Sequence, residues 1–149
     1  MGVQTLSVSA QLVELKLEVA EQHLQPFGLV HGGVFSGLVE TACSMGAVEA
    51  AVRGQAVVGV ENQTSFLRPV KSGTLLTRAV PVHCGRQSQL WQADVLDEQQ
   101  RLVATGRVRL RHRGARAVGV AGVDRRQARI DGLDLAGQPR AAEEGRQGR

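Results

Sequence analysis

Residues 31–52 read HGGVFSGLVETACSMGAVEAAV, and this stretch decides what the rest of the chain can be. It is long and Ala-rich, and residues 33–52 are predicted to form one helix. Val34, Phe35, Leu38, Val39, Ala42, Cys43, Met45, Ala47, Val48 and Ala51 span most directions around it. A helix that is apolar nearly all round is a buried helix. Working outward, the flanks read as strands: residues 3–8 and 11–20 before it, then 56–66, 74–84, 88–96 and 102–110 after it. In residues 11–20, Leu12, Glu14, Lys16 and Glu18 face one way, and Val13, Leu15, Leu17 and Val19 the other. Pro26 and Gly28 mark a loop, Arg68-Pro69 ends a strand, and Asp97-Glu98-Gln99-Gln100 is a hairpin turn. Pro81 inside a strand implies an edge or a bulge. One helix among six strands has one place to go, so the prediction is an α+β domain with the helix against one face of an antiparallel sheet.

Three residues break the helix's apolar character. Ser36, Glu40 and Ser44 recur at i, i+4 and i+8 and stack on one face. A carboxylate is costly to bury unless it is paired or has a task. A carboxylate partly withdrawn from water is a stronger base, which a general base or nucleophile needs. The plain alternative is that the stripe is the helix's solvated face. His31-Gly32-Gly33 stands at the helix start. Two glycines permit close backbone approach, and the unpaired N–H groups there suit an anion or a carbonyl oxygen becoming anionic. An ordinary tight turn, with His31 as a cap or packing residue, is the competing explanation.

Composition bounds the function. The chain has 149 residues, a net charge of +4 and four aromatic residues, Phe27, Phe35, Phe66 and Trp91. So few rings argue against a base-stacking nucleic-acid module, and no apolar run is long enough to span a membrane. The opening MGVQTLSVSA does not read as a secretory leader. Cys43 and Cys84 make no disulfide framework, which points to a reducing cytoplasm. Neither has a neighbouring base in sequence, so a cysteine nucleophile is not expected. His23, His31, His83 and His112 are scattered, so no metal site is expected. Up to Leu110 there are nine basic and nine acidic residues, and beyond it nine and five. The excess charge therefore belongs to the end of the chain, where seven of the 18 glycines also lie. We read residues 1–112 as the domain and 113–149 as an Arg/Gly-rich, disordered tail.

Five stretches carry a family resemblance: QPFGLVHGG at 25–33, LVET at 38–41, NQTSFLRPV at 62–70, Gly85-Arg86, and the strand ending VATGRVRL. In order and spacing they resemble the hotdog-fold thioesterases of the phenylacetate-degradation (PaaI-like) type. The resemblance implies an antiparallel sheet wrapped around the long helix. It also implies a homodimer with shared active sites, pairing again into a dimer of dimers. It implies hydrolysis of an acyl-CoA or acyl-carrier-protein thioester, with no cofactor beyond the CoA carried by the substrate. Glu40 takes the place of the family's catalytic carboxylate, as nucleophile or general base. Gly32 supplies the N–H to the thioester carbonyl, with His31 beside it and Gly33 in the same turn. Gln25 handles the thioester and water, and Ser44 positions the attacking water. Arg68, Arg86, Gln87 and Ser88 fall near segments that contact the CoA nucleotide and pantetheine. Glu with Gln resembles the aryl-CoA (4-hydroxybenzoyl-CoA-type) branch. Two departures stand out. The short helix that usually precedes the first strand is missing, and the Arg-rich tail is foreign to the pattern.

Two other functions fit the same fold. One is a hydratase or dehydratase of enoyl thioesters using His31 and Glu40 as acid and base. The other is a non-catalytic acyl-CoA-binding module. Asn62-Gln63-Thr64 matches a glycosylation sequon, read here as chance.

Overall fold

The computed structural model describes residues 1–52 and 55–113. Its order is β1 (Gln4–Val8), β2 (Val13–Glu18), a 3-10 turn (Glu21–His23), α1 (Gly32–Glu49), β3 (Ala56–Phe66), β4 (Thr74–Cys84), β5 (Ser88–Leu96) and β6 (Leu102–Arg113). The strands form one antiparallel sheet in the order β1-β2-β4-β5-β6-β3. The helix packs against β2 to β6, which makes the expected hotdog arrangement. No described helix is long and apolar enough to cross a membrane.

Alternation builds the sheet's inner face. Val13, Leu15 and Leu17 of β2, Trp91, Ala93 and Val95 of β5, and Val108 and Leu110 of β6 are buried. They meet Phe35, Leu38, Val39, Ala42, Cys43 and Ala47 of α1. The outer face carries charge, with Arg78 Nε on Glu14 at 2.8 Å and Arg109 Nε on Glu61 at 3.5 Å. Such exposed pairs contribute little stability. The helix is less uniformly buried than its composition suggests: Val34 and Met45 are half-buried and Val48 is exposed.

Local signals behave as their chemistry predicts. Pro81 satisfies both expectations, because β2 covers β4 only from Thr74 to Ala79 and the β4–β5 ladder bulges between Pro81 and His83. At the β5–β6 turn, Asp97 Oδ1 accepts from the backbone N–H groups of Gln99 (3.0 Å) and Arg101 (2.9 Å). Partial withdrawal from water pushes the Asp97 carboxyl up, but hydrogen bonds and charge from Arg101, with the Gln99 N–H, outweigh it and hold it below its ordinary value.

Three boundaries differ from expectation. The helix begins at Gly32 because His31 caps it, Nδ1 accepting from Gly33 N–H at 2.9 Å. It ends at Glu49 rather than at 52, with Ala50 as its cap. β6 continues to Arg113 because Ala56 pairs with it, so Arg113 belongs to the sheet rather than to a tail. The tail expected beyond it, residues 114–149, lies outside the described residues. Met1 lies beside α1. His23 Nδ1 accepts from Ala20 N–H, so its Nε2 donates to the Met1 carbonyl at 2.9 Å, and the Met1 side chain reaches Gly37.

Candidate active site

The first turn of α1 opens onto a cleft of about 240 Å³. Gln25, Gly32, Phe35, Phe66 and Arg68 are among its lining residues, and Leu29, Val30, Leu67 and Pro69 complete an otherwise apolar wall. The helix-terminal donors are unevenly used. Gly33 N–H is taken by the His31 ring, and Val34 N–H by the His31 carbonyl at 2.9 Å. Gly32 N–H has no acceptor among the described residues and belongs to a cleft-lining residue. A helix N-terminus with one free N–H is a ready site for developing negative charge. At Gly32 a Cβ would lie 2.8 Å from the Phe66 ring, so a larger residue there requires the ring to shift. Phe66 in turn lies 6.0 Å from the Phe35 ring, centroid to centroid. Gln25 Oε1 accepts from Phe27 N–H at 3.1 Å, which fixes that amide at the cleft. Arg68 is anchored by Nη1 to the Leu102 carbonyl at 2.6 Å.

Two turns along, Glu40 sits half-buried under β3. Three contacts show helix and strand running antiparallel: Gly32 against Phe66, Ser36 against Asn62, and Glu40 against Gly59. Glu40 Oε2 accepts from Asn62 Nδ2 at 3.0 Å, and Oε1 from Ser44 Oγ at 3.3 Å. Oε1 also occupies the space that a side chain at Gly59 would fill. The Ser36–Glu40–Ser44 stripe is therefore neither core nor solvated face. It is a polar seam beneath an edge strand.

The structure places the expected residues in three groups. Gln25, Gly32 and Arg68 share the cleft, with His31 and Gly33 at its helix end. Glu40 and Ser44 form a pair farther along the helix. Eight residues of helix separate Gly32 from Glu40, roughly 12 Å, and Glu40 does not line the cleft. Arg86, Gln87 and Ser88 form the β4–β5 turn, closed by Gly85 N–H on the Ser88 carbonyl at 2.9 Å. That turn adjoins Gln89, which reaches the last turn of α1, so one chain does not bring it to the cleft. The cysteines behave as expected. Burial, then the neighbouring Glu40 charge, push the Cys43 thiol up to about 12 despite a backbone hydrogen bond at Val108. Cys84 is raised by partial burial. A thiol so held is a poor nucleophile near neutrality.

Sequence reasoning missed Asn62 and Gly59 as neighbours of Glu40, and Thr64 as the partner of Asn62. Asn62 and Thr64 lie in the NQTS stretch, where Thr64 Oγ1 donates to Asn62 Oδ1 at 2.7 Å, but which way they face is set by the pairing of β3 with β6.

Known proteins agree with this architecture. Residues 27–104 match the Thioesterase superfamily. Proofreading thioesterase EntH of Klebsiella pneumoniae is 40% identical over 108 residues, covering 72% of this chain and 79% of that protein. The solved structure of thioesterase HI1161 from Haemophilus influenzae is 33% identical with a TM-score of 0.73, over 76% of this chain and 80% of that one. That of Rv1847/MT1895 from Mycobacterium tuberculosis is 39% identical with a TM-score of 0.75, over 77% and 94%. The chain therefore belongs to the thioesterase superfamily and carries its hotdog fold.

Proposed function

We propose that this protein hydrolyses acyl-CoA thioesters with an aryl or medium-chain acyl group, in sites shared between two copies of the chain. The free Gly32 N–H beside an apolar cleft carries this reading. It suits a thioester carbonyl whose oxygen gains charge while its acyl group leaves water. A carrier-protein thioester presents the same reacting group and is the alternative leaving side.

The catalytic carboxylate comes from the second copy. Glu40 lies too far along its own helix to touch a carbonyl held at Gly32, and β3 leaves one edge unpaired. Two β3 strands meeting antiparallel about a two-fold axis near Asn62 would set each Glu40 against the other chain's Gly32, because Asn62 lies level with Ser36, midway between the two. Glu40 then attacks the carbonyl carbon, or takes a proton from the water that does. Either way the C–S bond breaks and CoA leaves as a thiolate; water attack releases the acid directly, whereas attack by Glu40 leaves an acyl–Glu40 anhydride that a water molecule then cleaves to the acid and the free carboxylate. Gln25 and Ser44 orient the thioester and water, and His31 flanks the carbonyl. Arg68, and Arg86, Gln87 and Ser88 at the hairpin, meet the CoA portion. A dimer of dimers would cover Val80 and Val82, which are exposed on β4. The reaction needs no cofactor. Two free cysteines suit a cytoplasmic setting.

Glu40→Ala tests the reading. Turnover of benzoyl-CoA, followed by released thiol, is expected to fall by about 10²–10⁴-fold while size-exclusion elution and melting stay unchanged. An unaltered kcat would overturn it.

A further inference from the structure

We propose that Asn62 is the positioning residue that aims the Glu40 carboxylate, and that Thr64 and a β-bulge at Val60 hold it in place. The proposal rests on Glu40 being the catalytic carboxylate.

The arrangement is fully determined by donors and acceptors. The Asn62 amide nitrogen donates to Glu40 Oε2 at 3.0 Å and to the Ser36 carbonyl at 3.1 Å. Its oxygen accepts from Thr64 Oγ1 at 2.7 Å. Carbonyl and carboxylate oxygens can only accept, so the amide has one orientation that satisfies all three partners. Flipped, it would set its oxygen against two oxygens and its N–H₂ against the threonine hydroxyl. The Ser36 carbonyl and the Glu40 carboxylate therefore determine which end of Asn62 faces the helix, and Thr64 tethers the other end.

The bulge makes this possible on the strand. The β3–β6 ladder shifts between Gly59 and Glu61, leaving Val60 as the extra residue. Side chains alternate along a regular strand, so residues 59 and 62 would face opposite ways. The extra residue restores the phase. Gly59 and Asn62 both face α1, while Glu61 turns out to Arg109. Gly59 gives Oε1 room, and Asn62 binds Oε2. The carboxylate is fixed from both sides by one short piece of strand. Ser44 supplies only a long contact of 3.3 Å, so Asn62 is the principal neutral donor to Glu40 among the described residues.

Steady-state kinetics with benzoyl-CoA, in single and double variants, tests this. Asn62→Ala is expected to lower kcat about 10–100-fold with KM within about twofold, since a small misplacement of a reacting group is costly. Asn62→Asp keeps the shape but faces Glu40 with a second carboxylate. It is expected to move the acid limb of the kcat–pH profile upward by about one unit. Thr64→Val, which removes the hydroxyl that tethers the amide oxygen, is expected to show a smaller loss of kcat. In the Glu40→Ala background, Asn62→Ala should cost nothing further. Melting temperatures accompany each variant, and if Asn62→Ala does not fold, Asn62→Asp and Thr64→Val decide. Normal kcat in the Asn62 variants beside an inactive Glu40→Ala overturns this proposal alone. So does an equal loss from Asn62→Ala in both backgrounds. Turnover retained by Glu40→Ala overturns the functional reading, and this proposal with it.

Discussion

The two ends of α1 are finished in opposite ways. At the C-terminal end, the Ala47 carbonyl accepts from Gln89 Nε2 at 3.0 Å, and Gln89 is only 1% exposed. Gln89 Oε1 accepts from Trp91 Nε1 at 2.7 Å, and the fully buried indole lies against Gly46. His112 closes the network, with one ring nitrogen 3.0 Å from Gln89 and the other 2.6 Å from Gln55. At the N-terminal end, Gly32 N–H has no acceptor among the described residues, and Phe27 and Phe66 are 86% and 56% exposed. The same helix thus ties one end to buried side chains and leaves a backbone donor without an acceptor at the other, among the described residues. The contrast shows that the unused donor is no shortage of partners in the fold.

Three variants can break or sharpen that comparison. The largest effect belongs to the closed end: Trp91→Ala is expected to cost about 3–5 kcal/mol in urea unfolding. A loss below about 1 kcal/mol would show that this end is no anchor. Next comes Gly32→Ala at the open end, where the added methyl must displace the Phe66 ring. We expect kcat/KM on benzoyl-CoA to fall about tenfold or more, with melting within a few degrees of the parent. A melting loss rivalling that of Trp91→Ala would erase the distinction. The smallest effect concerns the β5–β6 hairpin, whose following residue Leu102 anchors Arg68 at the cleft. The Asp97 carboxyl is held below its ordinary value, so it stabilises the fold above that value and loses its effect as pH falls through the lowered one. Melting of Asp97→Asn should lie below the parent at about pH 6 and converge with it as pH falls through the lowered Asp97 value. A gap that persists in acid would mean that shape, not charge, holds the hairpin.

Much of the fold was legible because it is written locally. The expected bounds of β3, β4 and β5 coincide with those observed, since alternation and turn residues carry that information along the chain. The ends of β6 and α1 were less legible, because they depend on a partner strand and on a cap. Strand order was not legible at all: nothing in residues 56–66 announces that β3 lies beyond β6. The site divides in the same way. Gly32 and Glu40 stood out as breaks in an apolar helix. Asn62 and Thr64 did not, because which way they face depends on a bulge set by pairing with residues far along the chain. Strict alternation from Gly59 would have turned Asn62 away from the helix.

The pairing of β3 also orders events in time. Ala56 meets Arg113 and Phe66 meets Ala104, partners roughly 40 to 60 residues apart, whereas β4, β5 and β6 follow one another as hairpins. Non-local pairing of this kind closes late. During synthesis the strand that cradles Glu40 emerges before β6, and its backbone hydrogen-bonding groups wait until that last strand of the sheet is made. That interval is when the chain is most exposed to mispairing with its neighbours, and the strand at risk is the one that frames the carboxylate.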